Sequence, residues 1–354
     1  MRIALAHDYL SQRGGAERVA LAIARALGVR RIFTSVYNPA TTYPEFADFE
    51  VVTSGLNQVP LFRRDPRCAL PLLPSAVEGL RIDDVDLVVC SSSGWAHGVT
   101  TDARKVVYCH NTARWLYQRD DYFGRGPSLA RSVLSGVERR LKRWDRDKAL
   151  SADTYLCNSA VVADRVRTHY GIEAEVLHPP RGLSAHGPAA AVPGLEPGYL
   201  LTVGRPRGYK HTDVVRDAVA GLPRERLVSV GGGGAPYANV VDLHGVSDEQ
   251  LRWLYANADA LVACSYEDFG LTPVEAYAFG KPVLALDAGG YRETVSRDVS
   301  GLFIEDLSIE AIRATVRRFR RQEWNDERIR AHGESWSEEQ FAQRLREKVG
   351  AVAA

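Results

Sequence analysis

The sequence of residues 260–286 is ALVACSYEDFGLTPVEAYAFGKPVLAL, and it contains the pattern of one strand–helix–strand unit. An apolar run, Ala260–Cys264, is followed by a polar loop and by a helical pattern that starts near Thr272. A second apolar run, Val283–Leu286, follows the helix. Short apolar runs separated by a helical segment are typical of parallel strands with crossover connections. The segment therefore predicts an α/β domain built on a parallel sheet.

The same pattern recurs along the chain. Further strands are predicted near Ile3–Ala6, Arg31–Ser35, Val51–Thr53, Leu87–Cys90, Val106–Cys109, Tyr155–Cys157, Tyr199–Val203 and Leu227–Val230. Between the two groups of strands, residues 179–198 are rich in proline and follow neither the strand nor the helix period. We predict an N-terminal domain over 1–180, a linker over 181–198, a C-terminal domain over 199–335, charged helix over 309–349, and a C-terminal helix over 336–354 with the option of packing back on the N-terminal domain.

The composition excludes several classes of protein. The chain has 354 residues, of which 45% are hydrophobic and 25% charged, and this is enough for two cores of ordinary size. The net charge of +1 gives no reason to expect a nucleic-acid partner. The five cysteines are widely spaced, and four of them end apolar runs, so we expect reduced core residues. No apolar stretch approaches the roughly 18 residues that span a bilayer, which predicts a cytoplasmic protein.

Two carboxylates follow the strand that ends at Cys264. Glu267 lies in the loop, where ligands of open parallel sheets bind. For Glu275 two interpretations are open. With Thr272 as N-cap and Pro273 at the first helical position, Glu275 would complete a capping box. Alternatively, it is a second ligand carboxylate beside backbone N–H groups that favour phosphate.

This segment, with GKPV at 280–283 and GGYRE at 289–293, resembles the retaining glycosyltransferases of family 4, whose signature is two glutamates separated by seven residues. The resemblance implies the GT-B fold: α/β, with two facing Rossmann-like doubly wound domains and a cleft between them. It implies that Glu267 holds hydroxyls of the donor sugar and that Glu275 binds the ribose. The loop amides that would meet the sugar and diphosphate belong to Phe269, Gly270, Leu271 and Thr272.

Other donor contacts follow from the same resemblance. It implies that Arg205 and Lys210, in the loop after the strand ending at Val203, are diphosphate ligands, with Arg207 as a substitute; without it, this loop would be interpreted as a solvated basic turn. It also implies that Gly14 and Gly15, which precede the first helix, approach the diphosphate. Two further segments would face the nucleotide, namely the glycines at 231–234 and the turn at 244–247, which contains Val246.

His110 follows the predicted strand Val106–Cys109. Residues 108–115 resemble the Tyr-Cys-His-Thr-Pro-x-Arg segment of the bacterial O-antigen mannosyltransferase branch, with Asn111 before the threonine and alanine in place of proline. The resemblance implies that His110 sits against the donor sugar. We assign the acceptor to the N-terminal domain. The candidate acceptor residues are Ser92, Trp95, Asn111 and Arg114. The serines at 91–93 have no base nearby in sequence, so no nucleophilic triad is expected.

No metal site is predicted, because the Asp-x-Asp pairs at 84–86 and 145–147 do not follow strands. The basic stretch 125–148 has apolar residues at helical spacing. One interpretation is a core-facing helix with a solvated basic face. The other is a docking face for anionic membrane or a lipid-diphosphate acceptor, supported by a second apolar-basic stretch, Leu61–Arg64.

These observations predict a cytoplasmic, metal-independent, retaining glycosyltransferase without a cofactor, with peripheral contact at the inner membrane face left open. Its donor would be a nucleotide-diphosphate sugar carrying a hexose, and its acceptor a glycan, a lipid-linked molecule or a small molecule. A nucleotide-sugar epimerase of GT-B architecture remains an alternative. A non-catalytic nucleotide-sugar-binding protein would not require Glu267 and His110. An NAD dehydrogenase is disfavoured because no Gly-x-Gly-x-x-Gly follows the first strand.

Overall fold

The computed structural model describes residues 1–118, 129–204 and 210–353, and the side chains of these residues except 129–135 and 353. Its contacts divide the chain into two compact units. The first unit consists of Met1–Pro180 and Glu338–Ala354, and the second of Arg181–Ser337. Each unit contains one parallel sheet with helices packed on it.

The first unit contains a seven-stranded sheet in the order β3-β2-β1-β4-β5-β6-β7, and all its strand pairs are parallel. Its strands are β1 (Ile3–His7), β2 (Arg31–Thr34), β3 (Glu50–Thr53), β4 (Leu87–Ser92), β5 (Arg104–Cys109), β6 (Thr154–Cys157) and β7 (Glu175–Val176). Its α-helices are α1 (Gly15–Ala26), α2 (Pro60–Arg64), α3 (Leu73–Glu78), α4 (Arg114–Tyr117), α5 (Leu129–Leu150), α6 (Ala160–Tyr170) and α13 (Glu338–Ala353). Short 3-10 helices cover Pro44–Asp48, Gly55–Gln58, Pro66–Ala69 and Ala96–Gly98.

The second unit contains a six-stranded parallel sheet in the order β10-β9-β8-β11-β12-β13. Its strands are β8 (Tyr199–Val203), β9 (Leu227–Val230), β10 (Val240–Leu243), β11 (Ala258–Ala263), β12 (Val283–Leu286) and β13 (Gly301–Ile304). Its α-helices are α7 (Thr212–Ala220), α8 (Asp248–Asn257), α9 (Leu271–Ala278), α10 (Tyr291–Thr294), α11 (Ile309–Phe319) and α12 (Asp326–Gly333), and one 3-10 helix covers Glu334–Trp336.

The central strands are buried on both faces, which explains their continuous apolar sequences. Every residue of β4 and of β12 is buried. In each unit two apolar clusters lie on opposite sides of the sheet. The cluster under α1 also contains Phe341, Leu345 and Val349, so the C-terminal helix α13 packs within the first unit.

Two expectations about the chain's organisation are corrected. Residues 181–198, expected to be a linker, belong to the second unit: Leu183 lies in its core, and the N–H of Ala190 donates to the carbonyl of Glu249. Residues 309–349, expected to be charged helix, form three α-helices and a 3-10 turn. The break falls where Asn325 caps α12, because its side chain accepts a hydrogen bond from the N–H of Arg328.

The cysteines agree with the expected reduced state. All five are free, and only Cys68 is exposed. Burial raises the pKa of the Cys90 and Cys264 thiols to about 12, so neither ionises near neutral pH. None of the helices in the described ranges combines the length and the apolar character needed to cross a membrane.

Candidate active site

In the second unit, the loop between β11 and α9 brings Glu267 together with Lys210. The Lys210 ammonium donates a short hydrogen bond to Oε1 of Glu267, and the two side chains retain only 20% and 16% of their exposure. The hydroxyl of Ser265 donates to the same oxygen over 2.8 Å. Glu267 therefore presents an oriented, partly desolvated carboxylate at the carboxyl end of the sheet.

A buried tyrosine continues this network. The Ser265 hydroxyl lies 2.7 Å from the hydroxyl of Tyr291, at the start of α10. Burial, followed by the nearby charge of Glu267, raises the pKa of Tyr291 well above its ordinary value. The phenol thus stays neutral, and the charge of the Glu267–Lys210 pair is confined to its two members.

Three glycines hold the loop close to the segment after β12. A Cβ on Gly289, whose φ is +57°, would run into the carbonyl of Glu267, and a Cβ on Gly290 would lie 2.5 Å from the carbonyl oxygens of Asp268 and Phe269. A Cβ on Gly270, at φ +88°, would instead meet a side chain, the ring of Tyr291. The N–H of Gly290 donates to the Glu267 carbonyl over 3.0 Å. Glycine is required here because two backbones touch.

The structure excludes the capping-box interpretation of Glu275. Helix α9 begins at Leu271 with Gly270 as N-cap and has no side-chain cap, so the expected cap at Thr272 is wrong. Glu275 lies in the second turn, too far along for a capping box. Its carboxylate is buried and accepts a hydrogen bond of 3.0 Å from the hydroxyl of Tyr255. Burial, followed by the nearby charge of Glu275, raises the pKa of Tyr255 well above its ordinary value.

The other predicted donor residues of this unit lie in loops at the carboxyl ends of strands or in the first turn of α9. Phe269 is buried in the core, so only its backbone remains for a ligand, whereas Leu271 and Thr272 are partly exposed. Val246 lies in the turn between β10 and α8 and is partly buried. Arg205 and its proposed substitute Arg207 lie outside the described residues.

A buried arginine, which the sequence analysis missed, organises the glycine loop after β9. Arg216 of α7 is 2% exposed and makes a bidentate pair with Asp242 of β10, at 3.0 and 2.7 Å. Its guanidinium also donates to the carbonyl of Ala235 and lies against Gly234. The only signal in sequence was a charged residue at a core-facing position of α7.

In the first unit, His110 follows β5 and is buried. Its Nε2 lies 2.8 Å from the hydroxyl of Ser91, at the end of β4. Nδ1 of His7, at the end of β1, lies 3.0 Å from the same hydroxyl and 3.1 Å from the Ser91 carbonyl. Burial, with a smaller contribution from His7, lowers the pKa of His110 to about 3. The imidazole of His110 is thus neutral at physiological pH.

Of the predicted acceptor residues, Asn111 and Arg114 lie beside His110 along the chain. The side-chain oxygen of Asn111 accepts from Arg165 of α6 over 3.1 Å, and Arg114 opens α4 and is partly exposed. Asn158, at the end of β6, donates to the His110 carbonyl over 3.1 Å. Polar residues that follow β5 and β6, together with Arg165 of α6, therefore meet at the carboxyl end of this sheet.

The side chains of Ser92 and Trp95 do not line an acceptor pocket, which corrects their predicted role. Trp95 is 2% exposed and packs against Trp115, with ring centroids 4.4 Å apart. The Ser92 hydroxyl lies 3.0 Å from Nδ1 of His97, whose Nε2 lies 3.0 Å from Asp145. The sequence analysis expected no base beside these serines, but the fold brings His97 next to Ser92. Ser92, His97 and Asp145 are fully buried, so a substrate cannot reach them.

The loop after β4 is held by Asp8, another residue that the sequence analysis missed. The Asp8 carboxylate accepts from the backbone N–H groups of Ser93, Trp95 and Ala96 at 2.5, 2.8 and 2.7 Å. Three donors on one buried carboxylate fix the loop's backbone rather than a ligand. Farther along the connection after β1, Gly14 is the N-cap of α1, and Gly15 is its first residue.

Within the residues that the structure describes, no cluster of three or more histidine, cysteine or acidic side chains could hold a metal ion. The Asp-x-Asp pairs are used in other ways. Asp86 accepts from the backbone of Arg2, and Asp145 accepts from the Tyr170 hydroxyl over 2.8 Å in the core. The catalytic candidates are therefore the two clusters around Glu267 and His110.

Two family models match this chain. The model described as glycosyltransferase family 4 matches residues 13–182, and the model described as glycosyl transferases group 1 matches residues 192–336. The first match lies almost wholly in the first unit and the second in the second unit; Glu267, Lys210, Ser91 and His110 lie inside the matched ranges, whereas His7 does not.

Individual relatives agree with these models. A D-inositol 3-phosphate glycosyltransferase from Streptomyces bingchenggensis is 36% identical over 191 residues, which are 44% of this chain and 42% of the relative. The chain thus covers under half of that relative's length. Human alpha-1,3/1,6-mannosyltransferase ALG2 is 25% identical over 86% of this chain and 85% of its own length.

Solved structures establish the fold. Anabaena Alr3699/HepE, solved in complex with UDP-glucose, superposes with a TM-score of 0.69 at 17% identity over 99% of this chain and 100% of its own. WaaG, a glycosyltransferase involved in lipopolysaccharide biosynthesis, gives 0.64 at 19% identity over 99% of both chains. Two parallel α/β units with these neighbours have the GT-B fold. Together with the two family models, the fold and the paired glutamates identify the chain as a member of glycosyltransferase family 4.

Proposed function

We propose that the protein is a retaining hexosyltransferase that uses a nucleotide-diphosphate sugar. The observation that carries this proposal is the pairing of Lys210 with Glu267 in a loop clamped by Gly289 and Gly290. A cation for the diphosphate and a carboxylate for sugar hydroxyls lie side by side at the carboxyl end of the sheet, as transfer from a nucleotide-sugar requires.

In this proposal the ion pair between Lys210 and Glu267 is exchanged for contacts with the donor. Lys210, with Arg205 as a second candidate cation, turns to the diphosphate, whose negative charge grows as the bond to the sugar breaks. Glu267 then accepts hydrogen bonds from hydroxyls of the sugar, and Glu275 accepts from the ribose. The N-terminus of α9 adds backbone N–H groups and a favourable dipole for the phosphates.

We assign to the first unit the acceptor and a contact to the donor sugar. His110 is neutral, so it donates a hydrogen bond without bringing a positive charge to the reacting carbon. Asn111 and Arg114 remain candidate acceptor residues. Ser92 and Trp95 are no longer candidates, because both are buried. The name of the Streptomyces relative points to an inositol phosphate as acceptor, the name of ALG2 to mannose as the transferred sugar, and the HepE complex to a UDP-linked hexose.

The test is incubation with a panel of UDP-, GDP- and ADP-hexoses, with released nucleoside diphosphate as the signal. We expect slow hydrolysis of one donor without acceptor and faster release with an acceptor that carries a free hydroxyl, with the anomeric configuration of the donor retained. An epimerase would isomerise the sugar while it is still attached to the nucleotide. A protein that only binds the donor would unfold at a higher temperature in its presence but would not release nucleotide. Either result would contradict the proposal.

We expect transfer to be independent of divalent metal. Lys210, the N-terminus of α9 and the candidate Arg205 supply positive charge at the diphosphate, so a magnesium ion is not needed to neutralise it. Turnover after exhaustive EDTA treatment and desalting should equal that of untreated protein. Activity that disappears on this treatment and returns with magnesium or manganese would contradict the charge assignment.

Membrane contact is a separate proposal, placed on the cytoplasmic face. Arg139, Arg140 and Arg143 of α5 are exposed, while Leu141 on the same helix is buried, so within the described residues α5 has an exposed basic face. The side chain of Leu61 in α2 is also exposed. We expect the protein to sediment with anionic vesicles at low salt and charge reversal of the three arginines to release it. No sedimentation at low salt would leave α5 as a solvated face only.

A further inference from the structure

A chain of three hydrogen-bonded side chains ends at His110, and its other two members, His7 and Ser91, have no role in the function proposed so far. His7, Ser91 and His110 stand at the carboxyl ends of the adjacent strands β1, β4 and β5. Residues 7 and 91 are register partners, and all three side chains are buried. A linear arrangement of imidazole, hydroxyl and imidazole in the core has only a few allowed positions for its protons.

The carbonyl of Ser91 decides among these positions. It lies 3.1 Å from Nδ1 of His7, and a carbonyl oxygen can only accept a hydrogen bond. Nδ1 of His7 must therefore carry the proton, which it shares between the carbonyl and the hydroxyl oxygen of Ser91. The reverse order would press a nitrogen lone pair against the carbonyl oxygen in a buried position, at the cost of an unmade hydrogen bond.

The Ser91 hydroxyl then has one proton left to give. Among the described residues the Ser91 hydroxyl contacts only these two imidazoles, so with His7 donating to its oxygen, the O–H finds an acceptor only at Nε2 of His110, 2.8 Å away. Nε2 is thus an acceptor, and a neutral His110 carries its own proton on Nδ1. Within the described residues, Nδ1 of His110 makes no hydrogen bond to protein, so this N–H remains available.

We propose that Ser91 and His7 are positioning residues that lock His110 in the Nδ1–H tautomer, so that its donor N–H faces the sugar and its acceptor nitrogen is occupied. This proposal rests on the proposed contact of His110 with the donor sugar. Neither positioning residue touches substrate. They keep the proton of the neutral His110 imidazole on Nδ1, so that a donor N–H and not a lone pair faces the sugar. Outer hydrogen-bond partners fix the tautomer of functional histidines in other sites in the same way.

The tautomer can be read directly in solution. Long-range ¹H–¹⁵N correlation spectra of the full-length protein, labelled with ¹⁵N-histidine, distinguish a protonated ring nitrogen from an unprotonated one, and His110→Gln identifies the His110 signals. We expect wild-type His110 to show a protonated Nδ1 and an unprotonated Nε2 at neutral pH. A protonated Nε2 in the wild-type protein would overturn the proposal.

Variants test the two positioning residues. Ser91→Ala should let Nε2 of His110 acquire the proton in part and should lower kcat by about 10- to 100-fold, the loss typical of removing an outer partner of a metal-ligating histidine, with a smaller change in the KM of the donor. Ser91→Thr keeps the hydroxyl and should keep the tautomer. His7→Phe removes the donor to Ser91 and should shift the His110 signals in the same direction as Ser91→Ala.

A matched control separates this effect from lost stability. Ser54→Ala removes a buried serine hydroxyl from the same unit, where it donates to the Ser35 carbonyl over 2.8 Å and touches no histidine. It should leave the His110 signals and kcat unchanged. Unchanged His110 signals in both Ser91→Ala and His7→Phe would refute the lock. A locked tautomer in a protein without transferase activity would instead refute the proposed function alone.

Discussion

Replacing Glu267 by alanine is expected to reduce sugar transfer by about 100- to 1,000-fold, the loss typical of removing one preorganised electrostatic contact to a transition state. The carboxylate is oriented by Lys210 and Ser265 and has no capping role, and we propose that it binds hydroxyls of the donor sugar. Glu267→Gln should lose nearly as much. The amide can still accept from Ser265, but it no longer carries the charge that pairs with Lys210.

The measurement is initial-rate turnover at saturating donor, with the unfolding temperature recorded for each variant. Loss of the charge leaves a half-buried ammonium without its strongest partner, so both variants should also be less stable, on the order of 1–3 kcal/mol. Glu305→Gln is the matched control, because that glutamate is exposed in the same unit. Wild-type turnover of a folded, donor-saturated Glu267→Ala protein would rule out the assigned role.

Apart from β3, which lies at an edge of its sheet, the strands that sequence patterns predicted have neighbours on both sides. β4, β8 and β12 are buried, so their residues form continuous apolar runs. The strands that the sequence analysis missed are β7, β10 and β13, and each lies at an edge of its sheet. An edge strand is covered on fewer sides and admits polar residues. β10 contains Asp242, and both residues of β7 are exposed.

The site divides in the same way. The resemblance selected Glu267, Lys210 and His110 because each belongs to a local pattern after a strand, and the structure places all three at strand ends. Their partners could not be selected, because no local spacing connects them. Residues 7 and 91 are 84 positions apart and become neighbours only through the pairing of β1 with β4.

The Tyr255–Glu275 hydrogen bond shows how a local rule can mislead. Thr272, Pro273 and Glu275 have the spacing of a capping box, and that spacing alone cannot tell where the helix begins. Gly270 can adopt a φ of +88°, and the chain therefore enters α9 one residue before Thr272. This shift moves Glu275 from the helix terminus to a buried position against Tyr255.

Replacing Gly290 by alanine is expected to disable donor binding although no proposed ligand side chain is removed. The added Cβ would lie 2.5 Å from the carbonyl oxygens of Asp268 and Phe269, and backbone atoms cannot move aside as a flexible side chain could. The loop that carries Glu267 must shift, and the hydrogen bond from the Gly290 N–H to the Glu267 carbonyl would lengthen from 3.0 Å.

Gly290 has φ −65°, which alanine adopts freely, so the substitution adds crowding without backbone strain. A displacement of about 1 Å can cost on the order of 100-fold in rate, since the oriented carboxylate is moved from the sugar hydroxyls. We therefore expect a raised KM for the donor together with a lowered kcat, to be measured by initial rates over a range of donor concentrations.

Gly55→Ala is the control, because a Cβ at Gly55 meets nothing within 4 Å. It should leave both kinetic constants unchanged. If Gly290→Ala bound and turned over the donor like the wild type while remaining folded, the close approach of the two loops would not be what positions Glu267. A loss of activity with an unchanged KM would instead place the damage in the transition state alone, because the ground-state contacts to the donor would then have survived the shift.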